Sequence, residues 1–105
     1  MDTGTVQTNR QDLQILDVRE DDEWPAGRIE GAVHIPLGEL DTRVSELDRD
    51  RPVVTVCRSG GRAGKAAELL SAAGLNAEVM DGGMTQWAED KLPFTTPDGR
   101  PGHLA

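Results

Sequence analysis

Apolar residues along this chain gather into short runs, each closed off by glycine, proline or a cluster of charges. Residues 13–18 (LQILDV) form such a run and predict a buried strand. Residues 32–35 (AVHI), stopped by Pro36, predict a second. Val53–Val56 (VVTV) is the clearest strand, β-branched and apolar enough to be buried on both faces. Residues 77–80 read as a fourth.

Between the strands the period changes. Leu37, Leu40, Val44 and Leu47 recur at helical spacing and predict one helix or two short ones, with Asp41 as an N-cap. Ala63, Ala66, Ala67 and Leu70 fall at i, i+3, i+4 and i+7, and the alanines place this helix close against a sheet. Gly74 suits its stop. Pro25-Ala26-Gly27 marks a turn or brief helix, Gly82-Gly83 a tight turn, and residues 84–90 a last short helix before Pro93. Strands alternating with helices indicate an α/β domain with a largely parallel sheet. Residues 1–12 are polar and expected to fray. Residues 94–105, with Pro97, Gly99, Pro101 and Gly102, are expected to form a loose tail.

At 105 residues there is room for one core, and with one Phe and two Trp that core must be aliphatic. No apolar run approaches the roughly 18 residues of a membrane span, and the N-terminus lacks a signal-peptide pattern, so a cytoplasmic location is expected. A net charge of −8 disfavours nucleic acid and anionic membranes as partners. The charge is uneven: residues 17–23 read DVREDDE, while residues 58–65 carry Arg58, Arg62 and Lys65 without an acid. A single cysteine excludes an internal disulfide, and without neighbouring histidines it gives no zinc pattern. Such a thiol is either an inert small core residue or a reactive group.

The surroundings of Cys57 favour reactivity. It stands at the end of the clearest strand, where parallel sheets bind their ligands, and is followed by Arg58-Ser59-Gly60-Gly61-Arg62 and a helix. Gly60 and Gly61 permit successive N–H groups to point inward as an anion-binding nest. The helix end adds about 0.3–1 kcal/mol for an anion, so loop amides and an arginine must supply most of what a stable thiolate requires. The same cradle would take an anion such as thiosulfate. A thiolate there could attack the outer sulfur as sulfite leaves, forming a persulfide, and pass that sulfur to cyanide or a thiol in a ping-pong cycle. No metal or organic cofactor is required. Two rivals share the strand–loop–helix pattern. A nucleotide phosphate loop needs G-x-x-x-x-G-K-[ST], which is absent. A cysteine phosphatase needs an arginine after five intervening residues, whereas Arg62 follows after four and Ala63 holds that position.

These residues, in order, resemble a rhodanese homology domain of the single-domain thiosulfate sulfurtransferase type. The matching pieces are Leu16-Asp17-Val18-Arg19-Glu20, Glu23-Trp24, Gly27-Arg28-Ile29-Glu30-Gly31-Ala32, His34-Ile35-Pro36-Leu37, Cys57 to Arg62, and Gly82-Gly83 with Trp87. The resemblance covers residues 13–93 and implies a doubly wound α/β fold, a mostly parallel sheet with helices on both faces, with Cys57 as the persulfide-forming nucleophile. It also implies that Arg58, Ser59, Gly60, Gly61 and Arg62 form the substrate-binding loop, at the length associated with sulfur transfer. The departures are a shortened N-terminus, which would leave a sheet edge open, Arg28 where histidine is common, and Ala63 where serine often follows the loop.

Asp17 is expected to brace the active-site loop or pair with an arginine rather than act as a general base, with Arg19 its neighbour in that loop-bracing network. His34 reads as a packed histidine, His103 as non-catalytic, Trp24 and Trp87 as packing, and Glu20 to Glu23 as a solvated face or helix turn. The expected partners are a small sulfur-donor anion and a thiol or cyanide acceptor. An alternative is a relay module that docks to a protein and accepts sulfur only from it.

Overall fold

The β-branched and aliphatic runs become a four-stranded parallel sheet in the computed structural model, which describes residues 1–104. The strands are β1 (Gln14–Asp17), β2 (Val33–His34), β3 (Val53–Val56) and β4 (Ala77–Val79), in the order β2-β1-β3-β4. Leu16 lies opposite Val33 on one side and Thr55 on the other, and Val54 lies opposite Glu78. The inner strands β1 and β3 are buried throughout, which is why neither shows an apolar–polar alternation.

The helices are α1 (Thr3–Thr8), α2 (Leu40–Arg43), α3 (Gly61–Ala72) and α4 (Gly83–Glu89). One sheet face carries Leu16, Val18, Val53 and Cys57 against Ala63, Ala66 and Leu70 of α3, with Leu40 of α2 beside them. The other carries Ile15, Val54 and Val56 against Val6 of α1 and Met84 and Trp87 of α4. Alternate residues of each strand thus serve opposite cores, and the domain is doubly wound. Ala63 and Ala66 of α3 are fully buried, and the Thr55 hydroxyl donates to Ala63 O at 2.8 Å, tying the first turn of α3 to β3. Trp87 is a packing residue, as expected, with Nε1 donating to Pro93 O at 3.0 Å. Among the described residues, no helix is long and apolar enough to cross a membrane.

Both chain ends correct the sequence expectation. Residues 1–12 do not fray: α1 is capped by Asp2, whose Oδ1 accepts from Thr5 N at 2.7 Å, and Val6 is completely buried. Six residues make a marginal helix alone, so packing of Val6 beneath α4 is what holds it. The Met1 ammonium donates to Val79 O at 2.9 Å and Asp81 N donates to Met1 O at 2.8 Å, so main chain covers part of the β4 edge. The tail is not loose either. Arg28 N donates to Thr95 O at 2.9 Å, Gly102 N to Phe94 O at 2.9 Å, and His103 N to Ala26 O at 2.9 Å. Phe94 fills the space that a side chain at Gly27 would need, since a Cβ there would come within 2.7 Å of its ring. Ala105 lies outside the described residues.

Residues 37–46 form a 3-10 turn, α2 and a second 3-10 turn instead of one or two regular helices. Asp41 lies inside α2 and does not cap it. Arg43 spans the junctions, reaching Glu39 at 3.1 Å and Glu46 at 2.7 Å.

Candidate active site

Cys57 is the first residue beyond β3, at the carboxyl end of the sheet. Its Sγ accepts from Gly60 N at 2.9 Å. That bond requires Gly60 at φ +125°, a conformation reserved for glycine; a Cβ there would meet nothing within 4 Å, so backbone freedom and not space makes the position glycine. Gly60 is also the residue before α3, and Gly64 N donates to its carbonyl at 2.9 Å. Gly61 and Arg62 therefore belong to the first turn of α3, two residues earlier than the alanine pattern indicates.

The carbonyls of the loop point the other way. Cys57 O accepts from Met84 N and Arg58 O from Thr85 N, each at 2.9 Å. These donors lie in the first turn of α4, where intrahelical acceptors are lacking. Gly83 makes the approach possible: it sits at φ +60°, and a Cβ there would lie 2.5 Å from Cys57 O and 2.6 Å from Arg58 O. With its carbonyls held by α4, the loop keeps its amides for other work. Among the described residues, the N–H groups of Arg58, Ser59, Gly61 and Arg62 find no acceptor. Cys57 itself is buried, 1% exposed, while Arg58, Ser59 and Gly61 are on the surface.

Arg62 does not reach toward an open mouth. Its Nη1 and Nη2 meet Glu23 Oε1 and Oε2 at 2.5 and 3.0 Å. Glu23 Oε1 also accepts from Glu20 N at 2.9 Å. The Arg62 hydrogen bonds, above all, hold the Glu23 carboxyl down at about 2; burial opposes them, and the Glu20 amide and the charges of Arg62 and Arg19 assist. Arg62 is in turn raised, first by its bond to Glu23, against burial, with the negative form of Cys57 contributing. The sequence places Glu23 with Glu20, Asp21 and Asp22 on a solvated face or a helix N-terminal turn, and Glu23 does stand just before the short 3-10 turn Trp24–Ala26. The other three are exposed, but the Glu23 side chain is only 15% exposed. It is a residue of the site that the sequence reading missed, since a lone Glu in an acidic run carries no local sign of a partner in α3.

Asp17 and Arg19 are brought together, but not onto the loop. Asp17 accepts from Arg19 N and Nε at 3.0 Å and from Nη2 at 2.8 Å, and Nη2 also donates to Gly27 O at 2.7 Å. Among the described residues, neither side chain bonds to residues 57–62. The pair anchors the 24–28 segment through the bond from Arg19 Nη2 to Gly27 O. Its connection to the loop is indirect, through the pull of Arg19 on Glu23. His34 is packed, as read: Nε2 donates to Arg19 O at 2.8 Å, and the ring stacks on Trp24 at 4.7 Å and 7°. Arg28 lies over the same indole, 4.9 Å from its centroid. Trp24 is thus a rim residue that packs on the His34 ring and carries the Arg28 guanidinium over its indole. His103 is exposed and joined by its main chain only.

A deep strand-end cysteine under an amide-bearing loop can be compared with known proteins. The sequence profile of the rhodanese-like domain matches residues 4–90. The putative sulfurtransferase YtwF of Bacillus subtilis is 36% identical over 83 residues, covering 79% of this chain and 81% of the relative. The thiosulfate sulfurtransferase GlpE of Shewanella oneidensis is 32% identical over 83 residues, covering 78% and 82%. The crystal structure of a rhodanese-related protein from Thermoplasma volcanium superposes with a TM-score of 0.87 at 33% identity, covering 90% of this chain and 95% of the other. On the profile, the relatives and the fold together, this chain belongs to the rhodanese-like domain family.

Proposed function

We propose that the protein is a sulfurtransferase that carries sulfane sulfur on Cys57. The observation that carries this reading is the Gly60 N–H held on Sγ at 2.9 Å, beside loop amides that, among the described residues, have no other acceptor. A hydrogen bond to a charged group contributes about 1.5–3 kcal/mol, against about 0.3–1 kcal/mol for a helix end. The amides, more than the α3 dipole, are what would steady a sulfur anion here. In the reaction, the Cys57 thiolate attacks the outer sulfur of thiosulfate or a related donor. The sulfur–sulfur bond of the donor breaks and sulfite leaves with the electron pair. The outer sulfur of the persulfide takes over the negative charge within reach of Arg58, Ser59, Gly61 and Arg62 N–H. A thiol or cyanide then attacks that sulfur and restores the thiolate. The names of the relatives point to sulfur transfer, and that of GlpE to thiosulfate as its donor. A reduced, unpaired thiol suits the cytoplasm.

Burial of Cys57 shields its Sγ from bulk water, and the small side chains of Ser59, Gly60 and Gly61 make the loop the natural place of entry. The same burial favours a second reading, a relay module loaded only by a docked protein partner. Intact-protein mass spectrometry after thiosulfate exposure tests the chemistry: one sulfur atom is gained, cyanide removes it, and Cys57→Ser gains none. Absence of the gain in the wild type would overturn loading from thiosulfate. Thiocyanate production by the purified protein alone separates the two readings, since a relay module does not turn over without its partner.

A further inference from the structure

Arg62 is the loop charge that the sequence offers to an incoming anion, and in the structure it is already occupied. Both terminal nitrogens lie on the Glu23 carboxylate, at 2.5 and 3.0 Å, and the Glu20 amide fixes that carboxylate from the other side at 2.9 Å. A carboxylate and the oxygen end of thiosulfate or a thiosulfonate present a guanidinium with the same object: oxygens sharing a negative charge, taken in a two-point bond. Glu23 holds the place such oxygens would take. Arg58 remains exposed and, among the described residues, pairs with no carboxylate, so the loop keeps one cation where it could have shown two.

We propose that Glu23 is a specificity-determining residue whose carboxylate masks Arg62 and so disfavours small oxyanion donors relative to donors with less charge at the mouth. The proposal rests on Cys57 being the sulfur-bearing nucleophile. Glu23 touches no reacting atom; it acts through Arg62 and is a positioning residue.

The test compares alkylation of Cys57 by iodoacetate and by iodoacetamide, reagents of similar size that differ by one negative charge. Their rate ratio reads the charge at the mouth and does not depend on turnover. Glu23→Gln is expected to raise the iodoacetate-to-iodoacetamide ratio about fivefold, the scale of one charge interaction at about 4 Å in bulk water. Glu23→Ala removes the carboxylate without leaving an amide to hold the guanidinium, and should move the ratio in the same direction. With thiosulfate as donor, the gain falls on KM and not on kcat. A wild-type ratio in either variant, with a native circular dichroism spectrum, overturns the masking. A raised ratio in a protein that makes no thiocyanate upholds the masking and removes the enzymatic reading instead.

Discussion

Glu23 and Arg62 stand thirty-nine positions apart in the sequence and meet in a two-point ion pair at 2.5 and 3.0 Å. The pair joins the turn after β1 to the first turn of α3, so it closes the segment 20–28 against the cysteine loop.

That pair has a pH signature. Glu23 is held at about 2 against an ordinary value of 4.5. A depressed carboxylate contributes its stability above the unfolded value and loses it as pH falls toward the folded one. Urea unfolding should therefore show the wild type losing up to about 1 kcal/mol between pH about 4.5 and 2, after allowing for solvent screening. In Glu23→Gln this part of the slope should disappear; an equal slope in both proteins would mean the pair does not form.

Gly83→Ala places a Cβ 2.5 Å from Cys57 O, at a φ of +60°. Strain of this kind costs about 1–3 kcal/mol. Because the clash falls on the carbonyls that anchor the loop, persulfide loading at neutral pH should drop by more than the folded fraction does. The two are compared by mass spectrometry and urea titration on the same sample.

Asp17→Asn leaves Arg19 buried without its counter-charge. Removing one partner of a buried pair costs about 3–5 kcal/mol. Arg19→Met also deprives Gly27 O of its donor. The double variant should be less destabilised than the sum of the two single variants. Additive losses in thermal unfolding would count against the pair as a unit.

Val6→Ala should cost about 2 kcal/mol, as expected for deleting two fully buried methyl groups. It should also speed hydrogen exchange in α1 and α4 together. An unchanged melting temperature would return the first dozen residues to the frayed state that their polar composition suggests.

Much of the domain can be read from local chemistry. β3, the loop and α3 follow from a β-branched run, two glycines and alanines at helical spacing, since each feature acts on residues within a few positions of itself. The same segment places Cys57 at the carboxyl end of a parallel strand before any coordinates are seen. Where reading failed, a single contact across the fold was decisive. Val6 buried under α4 turns a polar leader into a helix, and Phe94 seated on Gly27 turns a proline- and glycine-bearing tail into a docked one.

The sequence by itself determined the strand–loop–helix element that carries Cys57, because strand, turn and helix propensities are local and the residues of the Cys57 loop are consecutive. Only the tertiary structure decided which charges face that element. Glu23 reaches Arg62, and Asp17 keeps Arg19 away from the loop, because the parallel crossovers bring the ends of β1 and β3 side by side. Electrostatic partners depend on distance in space, and spacing along the chain does not encode it.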